Sequence, residues 1–265
     1  MGIPETILRL TLVTFLSVAL SVLAMLSVRL TGIDLKDIKQ RTHPKVLVIA
    51  MLFNLLFILS VALILRIWDH KSIGILGFSF SSMEVIFAIF AMLFSLALAM
   101  MYVFILHRVG KIIAYRTPDH HRNSEKWATS VLGVLVLFVA ALQEEILFRG
   151  YFSFILLPHG FWYAIIISSV VFTLWHFLTN HAGFFQTTDW LMGGIVLFYI
   201  YWISGSIWVA AFVHFSRNLT NVLVFDISGQ NSLVHYKHPL KPSFKSLYTI
   251  LFSLLLMLSG AIVFQ

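Results

Sequence analysis

The sequence predicts an all-α protein, a polytopic membrane helix bundle of about eight transmembrane helices. Of its 265 residues, 60% are hydrophobic and 11% are charged, and the mean hydropathy is +0.94. Soluble domains carry about 25% charged residues, and disorder requires low hydrophobicity with high charge, so the composition excludes both classes. We therefore expect residues 1–265 to form a single integral membrane domain.

Each predicted helix rests on a run of about 20 mostly apolar residues, the length that crosses the hydrocarbon core of a bilayer. The eight runs cover residues 7–28, 46–67, 84–106, 128–157, 161–180, 189–203, 206–224 and 246–264. The first run is too long for a signal peptide and lacks a small-residue cleavage site, so we predict a span there. The sixth run is short and begins at Asp189, which places that carboxylate at a span end.

The basic residues predict the orientation of the bundle. The loops after the first, third and seventh spans hold thirteen Lys and Arg, whereas the opposite side holds three. Basic loops stay in the cytoplasm, so we predict that these loops are cytoplasmic and that both termini lie outside. The same loops account for the net charge of +7, so membrane lipids are expected contacts and nucleic acid is not. The chain has no Cys, which excludes disulfides, a thiol nucleophile and thiolate metal sites.

Two adjacent carboxylates, Glu144 and Glu145, fall well inside the fourth span. Each costs about 2.5–3.5 kcal/mol at mid-membrane, so two together indicate either a function or a structural ion pair between helices. Glu145 and Arg149 are four residues apart and share one helical face, which predicts that they pair. Glu144 points about 100° away and has no cation nearby in the sequence, so it is suited to act as a general base.

Two histidines also lie within predicted spans. His214 and Asn218 are four residues apart and project from one face of the seventh span, whereas His176 lies in the fifth. A lone membrane histidine often makes only an interhelical hydrogen bond, but two of them with a membrane Glu predict a wet pocket. We expect a Glu144 oxygen within about 5 Å of an imidazole nitrogen. His176 lies closer to the membrane edge than Glu144, so this meeting requires tilt or a helix end beyond Asn180.

Three short motifs follow one another inside the predicted spans. They are E-E-x-x-x-R at residues 144–149, F-x-x-x-H at 172–176 and H-x-x-x-N at 214–218. Over about residues 128–224, this ordered set resembles the CAAX-protease and bacteriocin-processing family (CPBP or Abi), which includes the type II CAAX prenyl endopeptidases. The resemblance implies a membrane-embedded endopeptidase.

The resemblance also implies a role for each motif residue. Glu144 corresponds to the water-activating base, and His176 to the residue that helps to hold the water. His214 and Asn218 correspond to the groups that stabilise the oxyanion. Glu145 and Arg149 correspond to supporting positions.

The resemblance leaves the question of metal open, because the family has been described both as metalloproteases and as metal-free glutamate proteases. We favour the glutamate type, with no cofactor and no metal ligand, because an activated water and oxyanion donors suffice for peptide hydrolysis. Zinc bound by Glu144, His176 and His214 is the alternative. The expected substrate is a membrane-associated peptide or protein, with or without a lipid, and the expected location is the plasma membrane.

Two functions from other classes compete with the protease. One is a bacteriocin immunity or binding protein that sequesters its partner without cutting it. The other is a proton-coupled transporter, because membrane Glu and His also serve as proton relays. The sequence has no evident inverted repeat, which disfavours the transporter.

Overall fold

The fold is taken from a computed structural model, which describes residues 2–35, 37–78, 81–115, 124–178, 182–225 and 232–264. Within these ranges the chain forms eight helices of 17 residues or more. They are α1 (Ile3–Leu30), α2 (Pro44–Ile67), α3 (Ser82–Arg108), α4 (Ser124–Glu145), α5 (Phe161–Phe177), α6 (Phe184–Ser204), α7 (Ile207–Leu223) and α8 (Pro242–Phe264). Helix α4 continues through a π-helical turn (Ile146–Tyr151) and a short α-helix (Phe152–Leu156), and we count all three as one span.

The predicted all-α membrane bundle is confirmed. Among the described residues, five helices are long and apolar enough to cross a membrane, namely α1, α2, α3, the α4 span and α8, and α5 is apolar but shorter. Two predicted boundaries were wrong. Helix α6 begins at Phe184, so Asp189 lies more than a turn inside it and not at its end. Helix α5 ends at Phe177, and residues 179 and 180 of the predicted fifth span lie outside the described ranges.

Local sequence explains several helix boundaries. Helices α1 and α2 carry a Pro in the first turn, where no backbone donor is lost to the helix. Helix α3 begins with a capping box, in which the Ser81 side chain accepts from the Glu84 amide and the Glu84 side chain accepts from the Ser81 amide. Helix α6 ends at Ser204 and is capped by Gly205, whose left-handed φ of +64° suits a residue without a side chain. These caps fix where the polar loops start.

The buried core forms two clusters that meet at α6 and α7. One cluster packs α1, α2 and the α4 span against α5, and Phe57, Phe148 and Phe172 are among its members. The other packs α3 against α8 through residues such as Phe87 and Tyr248. Both clusters also take residues from α6 and α7. This central pair therefore connects the N-terminal helices to α3 and α8.

A backbone junction at one end of the bundle requires a glycine. Gly77 follows the 3-10 turn Ile73–Leu76 with a φ of +84°, and its carbonyl accepts from the Ile207 amide at 2.9 Å. A Cβ atom on Gly77 would lie 2.2 Å from the Gly205 carbonyl oxygen. The loop after α2 is thereby fastened to the turn between α6 and α7.

The loops segregate to two ends of the bundle. Two short strands, β1 (Ala114–Tyr115) after α3 and β2 (His235–Tyr236) after α7, pair antiparallel with Ala114 opposite Tyr236. At the other end, the start of α1 contacts the loop after α2 through Arg9 and Asp69. The loops after α3 and α7 are therefore on the same side, as the predicted even number of intervening spans requires.

Candidate active site

Glu144 faces two imidazoles from other helices. Its Oε2 atom lies 3.9 Å from Nε2 of His176 on α5 and 3.8 Å from Nε2 of His214 on α7. These separations meet the expected limit of about 5 Å. They are too long for direct hydrogen bonds and short enough for one water molecule to contact all three atoms. The Glu144 side chain is 20% exposed, whereas its Oε2 atom is buried and has no hydrogen-bond partner among the described residues.

Both imidazoles are oriented through their Nδ1 atoms. Nδ1 of His176 lies 2.9 Å from the Phe172 carbonyl one turn earlier, and Nδ1 of His214 lies 2.7 Å from Oε1 of Glu145. Since both partners are acceptors, Nδ1 carries the hydrogen in each ring. In a neutral ring, Nε2 then presents its lone pair towards Glu144, and in a doubly protonated ring it presents a donor hydrogen. The ring orientation that places both Nε2 atoms at the site is thus set by hydrogen bonds on their far sides.

Glu145 is fully buried and binds two side chains. The predicted pair with Arg149 is confirmed, with Nη1 of Arg149 at 3.1 Å from Oε1 of Glu145 and both side chains 0% exposed. The hydrogen bond from His214 to the same oxygen was not predicted, because the sequence separates the two residues by 69 positions. Glu145 therefore positions His214 while it neutralises Arg149.

Arg149 is held by two further elements. Its Nη2 atom donates to the Gly194 carbonyl on α6 at 3.1 Å, and its guanidinium lies 4.3 Å from the centre of the Phe172 ring on α5. A buried charge of this kind is tolerated only when it is paired and hydrogen-bonded. Arg149 therefore connects α4, α5 and α6 directly behind the site.

The π-helical turn starts immediately after Glu145, where the sequence predicted uninterrupted α-helix. π-Turns within α-helices are rare and frequently occur at functional sites. Here the Phe148 carbonyl accepts from the Ser168 hydroxyl of α5 at 2.8 Å, so one backbone acceptor of the turn has a partner outside its own helix. Gly150 allows Leu76 to approach, since a Cβ there would lie 3.0 Å from Leu76 Cδ1.

Aromatic rings pack against the two histidines. The Phe172 ring centre is 4.6 Å from that of His176 and 5.9 Å from that of His214. On α6, the ring centre of Trp190 lies 5.0 Å from that of His176. Trp190 was not singled out by the sequence, because an aromatic residue at the start of an apolar run is ordinary in a membrane protein.

A cavity of about 330 Å³ adjoins the site between α5, α6, α7 and α8. Its wall includes three of the four predicted catalytic residues, His176, His214 and Asn218. Within the described chain, the Asn218 side chain makes no hydrogen bond, so its amide is available to a molecule in the cavity. The wall also includes Asp189 and Arg217, which the sequence analysis did not assign to the site. Arg217 follows His214 by three positions, a spacing that places both on one helical face and could have revealed it.

His176 reaches Glu144 although the sequence predicted that it lies closer to the membrane edge. A helix end beyond Asn180 does not explain how His176 reaches Glu144, because α5 already ends at Phe177. The two side chains nevertheless meet at 3.9 Å. Counting residues from predicted span ends failed because it assumes that all helices start at the same depth and run parallel.

The three converging donors are spaced more widely than the ligands of a tetrahedral zinc ion. Tetrahedral zinc with bonds of about 2.0–2.1 Å places its ligand atoms about 3.3–3.4 Å apart. The Glu144 oxygen lies 3.8 and 3.9 Å from the two Nε2 atoms. In the part of the chain that is described, no group of three or more His, Cys, Asp or Glu has the spacing of a metal site.

A carboxylate that faces two imidazoles beside a cavity, within a helical membrane bundle, is an arrangement suited to general base chemistry. A family model described as "Type II CAAX prenyl endopeptidase Rce1-like" matches residues 126–220, which include all six predicted site residues. The match covers 95 of the 265 residues, and over these residues the chain is similar to the CAAX-protease-like family that the motifs resemble.

The family match covers the α4 span to most of α7, whereas α1, α2, α3 and α8 lie outside it. Searches of curated proteins and of solved structures find no match. At the level of the family, the match supports a CAAX-protease-like intramembrane endopeptidase.

Proposed function

We propose that this protein cleaves a membrane-associated peptide or protein by attack of a water molecule that Glu144 activates. The observation that carries the proposal is the convergence of one carboxylate oxygen on two imidazole Nε2 atoms at 3.8 and 3.9 Å. A water in contact with all three atoms is positioned for deprotonation by Glu144. The Rce1-like match over the same residues supports the assignment.

The proposed reaction proceeds in two proton transfers. Glu144 takes a proton from the water while the water oxygen bonds to the carbonyl carbon of the scissile peptide, which gives a tetrahedral oxyanion. The Asn218 amide donates a hydrogen bond to this oxyanion, and His214 donates from Nε2 in its doubly protonated form. The carbon–nitrogen bond then breaks, and Glu144 returns the proton to the leaving amine. The products are a new carboxyl group and a new amino group.

Glu145, Arg149 and His176 support this chemistry without forming bonds to the substrate. His176 helps to hold the water near Glu144, and its ring is fixed by Phe172 and Trp190. Glu145 fixes the ring of His214. We propose the glutamate type over the metallo type, because the donor spacing suits a bridging water better than tetrahedral zinc.

The proposed substrate follows from the cavity, which lies between helices of the membrane bundle and next to the proposed site. We expect a membrane-associated peptide or protein segment, with or without a lipid anchor, at the plasma membrane. A test should therefore not assume one sequence. Purified protein in liposomes is incubated with a library of hydrophobic peptides and with a CAAX-type reporter in farnesylated and unmodified forms, in water enriched in oxygen-18. New carboxyl termini that contain oxygen-18 identify hydrolysis.

The decisive variant is Glu144→Gln, which keeps the shape of the side chain and removes the base. We expect at least a hundredfold lower cleavage rate, since general base catalysis contributes about 10²–10⁴-fold. Glu84→Gln is the matched control, because Gln also serves in a capping box and this residue lies at the start of α3. Glu84→Gln should cleave at the rate of the unmodified protein.

Cleavage that persists at the normal rate in Glu144→Gln would refute the proposal. A protein that sequesters a bacteriocin without cutting it would protect cells equally well with or without the Glu144→Gln substitution. A proton-coupled transporter would instead lose proton flux in liposomes and show no new carboxyl termini. The three outcomes are therefore separable with one pair of variants.

A further inference from the structure

Arg217 lies on the wall of the same cavity as His214 and Asn218. All three belong to α7, and Arg217 is displaced from His214 by about 4.5 Å along the helix axis. The reaction proposed above uses His214 and Asn218 but leaves Arg217 without a role. A cation beside a membrane-embedded site is costly, so its presence requires an explanation.

The surroundings of Arg217 hold a cation in place without an ion pair. Its guanidinium donates to two uncharged oxygens, Oδ1 of Asn221 and Oγ1 of Thr249 on α8. It also lies 4.9 Å from the centre of the Tyr248 ring, where a cation is attracted to the aromatic face. These contacts fix the position of the guanidinium but leave its charge without direct neutralisation.

Arg149 and Arg9 differ from Arg217 because each of them has a carboxylate partner. Each of those arginines contacts a carboxylate within ion-pair distance. Among the described residues, no carboxylate oxygen lies within 4.0 Å of Arg217. Asp189 lines the same cavity and attracts the guanidinium from a greater distance, but Lys245 attracts Asp189 as well. Asp189 also hydrogen-bonds the side chain of Thr249, which accepts from Arg217, so a neutral hydroxyl bridges the two charged groups.

A guanidinium that is oriented, borders a cavity and lacks a direct counter-ion is suited to bind a carboxylate. We infer that Arg217, supported by Asn221 and Thr249, binds a carboxylate of the substrate within a few residues of the scissile bond. This inference rests on the proposed function. The carboxylate has two sources, the C-terminus of the substrate or an acidic side chain, and the test below separates them.

The test measures binding in the Glu144→Gln background, so that no peptide is consumed. One fluorescent hydrophobic heptapeptide is made in four forms, with a C-terminal carboxylate or carboxamide and with an internal Glu or Gln. We expect the form with the responsible carboxylate to bind about tenfold more tightly than its uncharged counterpart, as for a hydrogen bond to a charged group. Preference for the C-terminal carboxylate or for internal Glu identifies the source.

Three variants separate recognition from a structural role. Arg217→Gln should bind the charged and uncharged forms equally, at the level of the weaker form. Arg217→Lys should keep part of the preference, because it retains the charge and loses the planar donor pair. Asp189→Asn should strengthen binding of the charged form several-fold, because it removes a competing negative charge from the same cavity.

Either of two results would overturn the inference. One is equal binding of charged and uncharged peptides when Arg217 is present, including no measurable binding of either at millimolar concentration. The other is an equal loss for both forms in Arg217→Gln, which would indicate a structural role. Retained cleavage in Glu144→Gln would instead refute the proposed protease mechanism, and the binding preference for charged peptides would still be measurable.

Discussion

Glu144 and Glu145 are adjacent and chemically identical, yet their surroundings differ because they leave the helix about 100° apart. Glu145 is fully buried and bonds to Arg149 and His214 through one oxygen. Glu144 is 20% exposed, and its Oε2 atom has no hydrogen-bond partner among the described residues. We infer that Glu145 organises the site and that Glu144 is available for chemistry.

These different roles predict that Glu→Gln lowers stability at position 145 and not at position 144. Glu145→Gln leaves the buried Arg149 cation without its counter-ion, which costs about 3 kcal/mol or more. We expect a clearly lower thermal midpoint in detergent and at least tenfold lower cleavage, because His214 exchanges a charged hydrogen-bond acceptor for a neutral amide. Glu144→Gln should keep the normal midpoint. Thermal unfolding followed by intrinsic fluorescence measures both.

A double variant serves as the control for Glu145→Gln. Arg149→Met in the same chain removes the unpaired cation and should restore much of the midpoint. Cleavage should stay low, because the carboxylate that orients His214 is still missing. If the double variant recovers cleavage together with stability, then Glu145 has no role in positioning His214.

Metal removal tests the glutamate mechanism at the same residues. The spacing of Glu144, His176 and His214 predicts that dialysis against a zinc chelator leaves cleavage within about twofold of the untreated rate, since no step requires a Lewis acid. Metal analysis of the active, purified protein should find far less than one zinc per chain. Loss of activity on chelation, with recovery on adding zinc, would favour the metallo alternative.

At the scale of the helices, the contact between α5 and α6 determines where the histidines can sit. Gly194 of α6 packs directly on Ser169 of α5, and a Cβ on Gly194 would lie 2.9 Å from Ser169 Cβ and 3.0 Å from Ser169 Cα. Small residues at such crossings allow backbones to approach closely in membrane proteins. The Gly194 carbonyl also accepts from Arg149. The spacing of two helices and the support of the site thus depend on one position.

Two neighbouring glycines give a matched test of this contact. Gly194→Ala should force α5 and α6 apart and lower stability by about 1–3 kcal/mol, the usual cost of overpacking. Gly193→Ala should have little effect on stability, because a Cβ at Gly193 meets no atom within 4 Å. Thermal midpoints of the two variants, measured in one detergent, decide the matter. Equal midpoints would show that the helices adjust without cost.

At the scale of the whole molecule, contacts between loops divide the bundle into two ends. Strands β1 and β2 join the loops after α3 and α7. The opposite end contains the contact of Thr6 with His159 and the hydrogen bond from Ile207 to Gly77. This arrangement agrees with the distribution of Lys and Arg, which predicts that the loops after α3 and α7 share one side of the membrane.

Because the chain has no Cys, single cysteines report topology directly. Lys111→Cys and Lys237→Cys, next to the strand pair, should react with an impermeant maleimide only after cells are permeabilised. Lys71→Cys lies at the other end. It should react in intact cells, because the strongly basic loops are expected inside and the loop after α2 is on the opposite side. Opposite labelling of Lys111→Cys and Lys237→Cys would contradict the fold, whereas a reversal of all three sites would contradict only the orientation.

The sequence by itself determined the class of fold and the approximate positions of the helices, and it predicted residues that could carry chemistry. Apolar runs mark helices because the bilayer requires a fixed length of apolar chain with all backbone hydrogen bonds satisfied. The pair of Glu145 and Arg149 was predictable because it depends only on the local geometry of one helix. Charged residues inside these runs stand out because they are costly there, which is how Glu144 was found.

Only the tertiary structure decided how residues far apart in the chain meet. The hydrogen bond from His214 to Glu145, the π-turn after Glu145 and the place of Arg217 and Asp189 on the cavity wall all depend on how helices pack. Packing sets relative depth, tilt and rotation between helices, and no periodicity within a single helix encodes those quantities.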